Sequence, residues 1–397
     1  MSSANLNNGI PGWLWLMGAM TALGPLAIDM YLPAFPSIVQ SLSATQGQVE
    51  RTLASYLLGL ALAQIAYGPI TDRYGRKKPL LAGLIIFTVA SVGCALTGDI
   101  EHLTYWRIAQ AFGGAAGIVI PRAVIRDNLN TRDASKALSL LILIMGVTPI
   151  LGPILGGQVL LFVGWRGIFG IMTVVGAALL TASIFTMKET LPPENVIGLK
   201  VSTIGRNYWG LLRDRQFICY SLAGGFGSAG LFTYIAGSPR IFMDVYDVDP
   251  QYFAILFGLN AAALIFTSQI SARLLNRHSP EKLLKKAQIA IVLASLAGVT
   301  LTLLGWLDLT LLMVCLMAFM ASQGFVNPNA AALALAKQGG RLGVASAMMG
   351  TVQMLCGAAV GLGISHWQSE TALPLTGLLA GCAVLSWLFG RIALRAA

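Results

Sequence analysis

Long apolar stretches alternate with short clusters of polar and charged residues along the whole chain. Twelve such stretches run over about residues 12–33, 50–70, 79–97, 103–125, 137–161, 166–187, 216–238, 251–272, 283–305, 309–334, 344–364 and 372–390. Each is long enough to cross a hydrocarbon core as a helix, which takes about 20 residues. With no water in a bilayer to satisfy the backbone, these stretches fold as helices, and no alternating barrel pattern is visible. The expected fold class is therefore an all-α integral membrane protein with twelve transmembrane helices. The longest polar interruption, residues 188–215, divides the helices six and six. The expected domains are a six-helix bundle over 1–190, a cytoplasmic linker over 191–215 and a second six-helix bundle over 216–397. Two equal bundles suggest a repeat transporter with its substrate site at their interface near the bilayer midplane.

Composition agrees with the pattern. Of 397 residues, 56% are hydrophobic and 11% charged, and the mean hydropathy is +0.73, outside the range of soluble domains. The net charge of +10 raises the question of nucleic acid, but the distribution answers it. If the N-terminus and every second loop face the cytoplasm, only Arg51, Arg107, Arg166 and Arg240 fall on the other side. All the other Lys and Arg residues lie in or beside cytoplasmic segments. That is the positive-inside bias of a polytopic protein with both termini in the cytoplasm. The basic-free stretch 1–12 is a local exception, outweighed by the whole chain. The basic n-region of a cleavable signal peptide is missing. The five cysteines (Cys94, Cys219, Cys315, Cys356, Cys382) lie in apolar runs without metal spacing and read as small packing residues. No nucleophile–base set and no phosphate loop is present, so neither catalysis nor ATP use is expected. Gly225-x-Gly227-x-x-Gly230 fits a dinucleotide fingerprint, but it lies inside an apolar helix with no strand before it and reads as a packing segment.

Asp29 stands apart from the other carboxylates, which fall in or beside predicted loops. It sits within the first apolar run, in Ile28-Asp29-Met30-Tyr31-Leu32-Pro33. An acid at membrane depth is expensive and marks an ion pathway more often than a structural contact. Arg107 follows the start of helix 4 by about a turn, with Gln110 at i+3 and Gly114 at i+7 on its face. The end of helix 1 and the start of helix 4 lie on one side of the membrane. Asp29 and Arg107 are therefore expected at similar depth, meeting directly or bridged by water or by Gln110. Burial would disfavour the charged carboxylate and Arg107 would favour it. A switch that alters their separation would alter proton affinity.

Between helices 2 and 3, a tight turn carries Gly68, Asp72, Arg73, Gly75 and Arg76, followed by Lys77 and Lys78. Its glycines permit close approach and unusual dihedrals. Asp72 is expected beside the N-terminus of helix 11, near Ala345 and Ser346, when the cytoplasmic side is closed. It would stabilise that closure by roughly 0.3–1 kcal/mol. Arg76 and Arg126 would add charge pairs on the same face. Gly113-x-x-x-Gly117 in helix 4 is an ordinary packing step. In helix 5, Gly146 precedes Gly152-Pro153-Ile-Leu-Gly156-Gly157. Gly152 and Gly156 form a small-xxx-small step, and Pro153 weakens the helix between them. That face is expected to pack or bend against a helix of the other half.

The turn after helix 2 resembles the signature loop of the major facilitator superfamily. The Leu103–Gly113 segment is similar to that superfamily's buried-arginine motif, and the helix 5 segment to the motif found in its antiporters. The Ile28–Pro33 string and the Lys188-Glu-Thr-Leu-Pro-Pro193 linker resemble the bicyclomycin-resistance (Bcr/CflA) subfamily. The resemblance covers the whole chain. It implies the major facilitator fold and a proton-coupled multidrug efflux transporter of the bacterial inner membrane. Such a drug/proton antiporter confers antibiotic resistance by alternating access. It needs no cofactor beyond the proton gradient, and a monomer is expected. The partners are a small-molecule drug, protons and the lipid bilayer. The alternative on the same machinery is an exporter of an endogenous metabolite, an amino acid or a sugar. A proton symporter for uptake is disfavoured by the helix 5 motif. Candidates for the substrate cavity are Tyr31, Tyr56, Met145, Phe226, Tyr234, Asn260, Met349 and Gln353. Asn260 and Gln353 are the stronger of these, because a buried amide needs a partner.

Overall fold

The computed structural model describes residues 11–191, 208–338, 342–367 and 369–395. Most of the predicted linker, residues 192–207 with Lys200 and Arg206, lies outside them, as does Arg341.

Twelve helices among the described residues are long and apolar enough to span a membrane. We number them α1 (Gly12–Ser41), α2 (Gln46–Tyr74), α3 (Lys77–Leu96), α4 (Ile100–Asn128), α5 (Thr131–Val163), α6 (Trp165–Thr186), α7 (Arg215–Val245), α8 (Pro250–Leu274), α9 (Pro280–Leu303), α10 (Leu309–Leu335), α11 (Leu342–His366) and α12 (Leu373–Arg395). Two of them, α1 and α7, carry a break near the far end. In α1 the α-helix stops at Asp29, a 3-10 turn covers Leu32–Ala34, and a short helix covers Phe35–Ser41. Pro33 explains the stop: it has no N–H for the Asp29 carbonyl four residues back, and its ring crowds that carbonyl. In α7 the helix passes Pro239 and ends in a π-turn over Ile241–Val245.

The helices form two bundles, α1–α6 and α7–α12. In the first, α1 packs on α4, α5 and α6, and α4 packs on α2 and α3; in the second, α7 packs on α10, α11 and α12, and α10 on α8 and α9. The bundles face each other through two four-helix walls. One is ordered α2–α4–α1–α5 and the other α11–α7–α10–α8, with α2 against α11 and α5 against α8. The middle of each wall is α1 with α4 or α7 with α10.

Arg73, Arg76, Lys77 and Lys78 mark one face of the molecule, the basic face. The two bundles meet closely toward the opposite face. A Cβ on Gly361 of α11 would stand 3.0 Å from the Ala54 methyl of α2, and one on Gly350 would stand 2.6 Å from Gln64 Oε1. One turn further toward the basic face, Gly68 has nothing within 4 Å of its Cβ position. On the other flank, α5 touches α8 where Gly157 faces Pro250, Ile150 faces Gly258 and Gly146 faces Ile265. The 3-10 turn of α1 is fully buried and lies against α7 and α8, so the break in α1 plugs the opposite face. The space between the walls opens to the basic face.

Candidate functional site

Asp29 is the last residue of the first helical segment of α1 and is 2% exposed. It has no hydrogen-bond or ion-pair partner among the described residues. Two glycines of α5 pack directly against it. A Cβ on Gly152 would stand 2.5 Å from the Asp29 Cβ, and one on Gly156 would collide with the Met30 carbonyl. The helix 5 glycines therefore pack on α1 of their own bundle, not on the other half as the sequence suggested. Gly146 and Gly157, on the other side of α5, are the ones that face α8. The motif thus has two faces, a bare one that admits the backbone around Asp29 and one at the inter-bundle seam.

Arg107 is completely buried. Its Nη1 donates to the Ala27 carbonyl at 2.9 Å and to Gln110 Oε1 at 2.6 Å. The Gln110 amide donates to Ser91 Oγ on α3 at 2.8 Å. Nε and Nη2 have no hydrogen-bond partner among the described residues. The guanidinium is instead enclosed by aromatic rings from three helices. Its carbon lies 4.2 Å from the Tyr56 centroid, 4.7 Å from Tyr31 and 5.8 Å from Phe169. The cage is itself fastened: the Tyr31 hydroxyl pairs with Thr52 at 2.8 Å, and the Tyr56 hydroxyl donates to the Gly24 carbonyl at 3.2 Å. Asp29 and Arg107 make no direct ion pair here. Gln110 bridges Arg107 to α3 rather than to Asp29, and the arginine reaches α1 through a backbone carbonyl two residues before the acid. Helical geometry is the reason: residues two apart point away from each other.

The substrate candidates separate accordingly. Tyr31 and Tyr56 hold Arg107. Phe226 stacks on Phe389 of α12 at 5.6 Å, away from the facing walls. Tyr234 is fully buried and stacked on Phe257 of α8 at 4.9 Å. Asn260 is buried between α8 and α10, donating to the Leu256 carbonyl and toward Met313 Sδ. Met349 packs in the second bundle's own cluster with Tyr220 and Ala345. Gln353 lies near Gly224 of α7, and Met145 accepts from Arg122 Nη2 at 3.7 Å. The three glycines of the false dinucleotide fingerprint are indeed packing positions: Gly225 faces Val352, Gly227 faces Gln323 and Asn327, and Gly230 faces Phe319.

At the basic face the pairing also differs from expectation. Half-exposed Asp72 binds Arg76 Nη1 at 2.7 Å, and Arg76 Nε binds Asp127 of α4 at 2.9 Å. Ala345 of α11 is buried in the second bundle. A carboxylate does sit at a helix N-terminus on this face, Glu189 at α3; the expected place of Asp72 beside α11 concerns the closed state, with the two walls together on this side. Glu189 accepts from the backbone N–H groups of Arg76 at 2.8 Å and Lys77 at 3.1 Å, and from those of Thr190 and Leu191. Gly75, at φ 84°, is required here twice, since a Cβ would strike the Glu189 carboxylate and strain the backbone. Arg73 and Arg126 are exposed, and Arg126 makes no ion pair among the described residues. The loop is thus tied to α4 and to the end of α6 within the first bundle, in a molecule whose walls are apart on this side.

Partial burial pushes the Glu189 carboxyl up, but the backbone donors of Arg76, Leu191, Lys77 and Thr190 hold it below the usual carboxylate range. A lowered folded value means that its stabilisation is present above about pH 4.3 and lost as pH falls through the lower folded value. Glu189→Ala is expected to destabilise the purified protein by about 1 kcal/mol, as loss of a helix cap does. Differential scanning fluorimetry at pH 7 checks this. The wild-type advantage over Glu189→Gln is expected to disappear on acidification through the carboxylate range. A constant difference down to pH 3 would show that the charge plays no part.

Sequence reading missed several groups. Glu50 of α2, placed beside a loop, is fully buried, so Asp29 is not alone among membrane acids. Its signal was its register, one turn before Ala54 on the face that meets α11. Asp127 and Glu189 were hidden among loop charges. Phe169 and Ser91, like Gln323 and Asn327 on α10, had no local signal apart from being polar or aromatic in an apolar run.

A family profile described as Major Facilitator Superfamily matches residues 17–362. The chain belongs to the major facilitator superfamily. It is 38% identical over 375 residues to the MFS-type transporter YdgK of Bacillus subtilis, covering 94% of this chain and 92% of that one. It is 30% identical over 372 residues to the bicyclomycin resistance protein homolog of Haemophilus influenzae, covering 93% of each. It is also 30% identical over 376 residues to the multidrug resistance protein MdtL of Escherichia coli O157:H7, covering 93% and 92%. Among solved structures, the fold matches a bacterial homologue of the human lysosomal transporter Spinster, inward-facing and occupied. The TM-score is 0.73 at 16% identity, covering 99% and 97% of the chains. A D-xylose–proton symporter matches with a TM-score of 0.69 at 13% identity, covering 97% and 96%. The superfamily consists of transporters, not enzymes, and the resemblance of this chain to the drug-resistance branch extends along nearly all of its length.

Proposed function

We infer that this major facilitator protein exports small-molecule drugs from the cytoplasm in exchange for protons, with Asp29 as the proton carrier. The basic face would be cytoplasmic, both termini with it, in a bacterial inner membrane. The observation that carries the reading is the setting of Asp29. It is buried, without a partner among the described residues, on a glycine-lined contact immediately before the break in α1 that plugs the opposite face. A neutral, protonated carboxyl fits that contact, and a charged one does not. Release of its proton to the cytoplasm therefore favours a different arrangement of α1 against α5, in which the acid meets water. Drug loading from the open basic face and outward reorientation would accompany that change. Proton uptake from the far side would then reset the carrier. Arg107 holds α1 at Ala27 throughout, so the movable part is the segment from Asp29 onward. The relatives named for bicyclomycin and multidrug resistance support a drug as the cargo.

Everted vesicles with an acidified lumen test the reading. Addition of an exported compound is expected to release lumenal protons, seen as recovery of a quenched ΔpH-sensitive dye. A symporter for uptake would not exchange in this direction. If no compound in a broad antibiotic panel releases protons, and expressing cells gain no resistance to any, the proposal fails.

A further inference from the structure

We propose that Glu50 is a second proton-binding site, loaded from the opposite face, whose proton holds the outer seam between α2 and α11 closed. The proposal goes beyond the efflux reading. The proton at Asp29 crosses the membrane, whereas the proton at Glu50 returns to the side it came from.

The first observation is the place of Glu50 in the seam. It is fully buried and precedes Ala54 by one turn on the α2 face that meets α11. The two helices run antiparallel, since Ala54 meets Gly361 and Gln64 meets Gly350. Glu50 is therefore level with Ser365, one turn beyond Gly361. Both of those contacts lie between Glu50 and the space that opens to the basic face at Gly68. Protons from the basic face have no route to it along this seam.

The second observation is a cavity of about 270 Å³ that opens to the opposite face between the ends of the two helices. Thr45, Gly47, Gln48 and Arg51 line it from α2, and Ser365 and His366 from α11. Gly47 and Arg51 bracket Glu50 along the helix, so water from that face comes within a turn of the buried carboxyl. Parting of the outer ends completes its hydration.

Charge decides the sign. Neither α11 over residues 342–365 nor α7 over 216–239 contains Asp, Glu, Lys, Arg or His. The basic groups on the elements around the outer end of α2 are engaged elsewhere. Arg51 pairs with Glu101, and His102 with Asp99. Arg107 binds Ala27 and Gln110, and Tyr31, Tyr56 and Cys94 gather around it. Arg240 of α7, with Asp244 near it, donates to the Ser369 carbonyl, and His366 Nδ1 lies on the Leu362 carbonyl. A protonated carboxyl both donates and accepts hydrogen bonds and suits a helix contact with polar neighbours. An ionised one calls for the water that only a parted seam brings. The neutral form belongs to the closed seam and the ionised form to the open one. Acid on the opposite face thus holds that side shut, and a rise in pH there lets it part. In a proton-driven exporter, the return to the form open at the basic face then waits for protons outside.

Double electron–electron resonance tests this in nanodiscs, with labels at His102→Cys and Glu370→Cys on the outer ends of the two bundles and the native cysteines replaced by alanine. The logarithm of the open-to-closed ratio is expected to rise with pH, each linked proton adding up to about one to the slope. Glu50→Gln, which keeps size, is expected to lower the slope by about one and to favour closure. His366→Gln, which removes the histidine at the cavity, is expected to leave the slope unchanged. Infrared difference spectra give a second readout. A protonated-carboxyl band of the closed form is expected to vanish in Glu50→Gln and to persist in Asp29→Asn. Gly361→Leu, which wedges the seam apart, is expected to remove the same band with Glu50 in place. An unchanged slope in Glu50→Gln, a slope that falls with His366→Gln instead, or a band that survives both Glu50→Gln and Gly361→Leu overturns the proposal. Failure of Asp29 as the proton carrier would appear in Asp29→Asn alone and leaves these outcomes standing.

Discussion

Asp29→Asn is expected to abolish proton-coupled export while the protein still folds and inserts. Asparagine matches aspartate in size, which matters because Gly152 and Gly156 leave no space beside Asp29 and Met30. The substitution fixes α1 in the form that suits its apolar contact. The carrier then has no proton to release, and the rearrangement of α1 that accompanies drug loading and outward movement is not triggered. In everted vesicles, drug-induced proton release should fall to the level of vesicles lacking the protein. Exchange of labelled for unlabelled drug should fall with it. Stability should not fall, because a buried group that is charged in part of the cycle has been replaced by one that never is. Melting temperature therefore stays at or above the wild-type value, and its pH dependence loses the share that Asp29 contributes. Uphill export at the wild-type rate would remove Asp29 from the mechanism.

The parts of this molecule that a sequence shows are those set by neighbours along the chain. Apolar runs of spanning length gave twelve helices because the bilayer leaves no other fold for them. The break in α1 was present in the local string, since Pro33 cannot close the helix on Asp29, yet its consequence was not. Only the packed structure shows the 3-10 turn lying against α7 and α8. Arg107 was legible as a buried cation and Gln110 as its i+3 partner. The choice between Asp29 and Ala27 as its contact on α1 depended on helix rotation, which no motif encodes. Glu189 illustrates the same limit. The turn that Gly75 permits brings it, from more than a hundred residues away, to the N-terminus of α3, and no local motif shows that pairing. The helix 5 glycines were read correctly as a close-packing step and assigned to the wrong neighbour. Small residues report that something approaches and not what it is.

Arg107→Met is expected to preserve or raise thermal stability and yet to lose most transport. Two of the three guanidinium nitrogens are buried without partners among the described residues, and desolvating such a cation costs several kcal/mol. The Tyr31 and Tyr56 faces return about 2 kcal/mol each at a desolvated site. The hydrogen bonds to Ala27 and Gln110 add about 1.5–3 kcal/mol apiece. A methionine keeps the length and packs its sulfur on the same rings for about 0.3–1.5 kcal/mol per contact. Replacement of buried charge by apolar groups of similar volume is often neutral or stabilising by about 1–4 kcal/mol. Arg107→Ala should behave differently, because an emptied cage costs about 3–5 kcal/mol, as other large truncations do. Function follows another route. Without the guanidinium, nothing ties α4 to the Ala27 carbonyl, so movement at Asp29 is no longer confined to the segment beyond it. Arg107→Lys retains charge but not the planar fork that holds carbonyl, amide and rings at once, and it should recover only part of the transport. The pH profile of drug binding should shift in Arg107→Met relative to wild type. A variant that melts with wild type and transports with wild type would mean that the cage only fills space. A variant that melts with Arg107→Ala would mean that the rings return more than the buried charge costs.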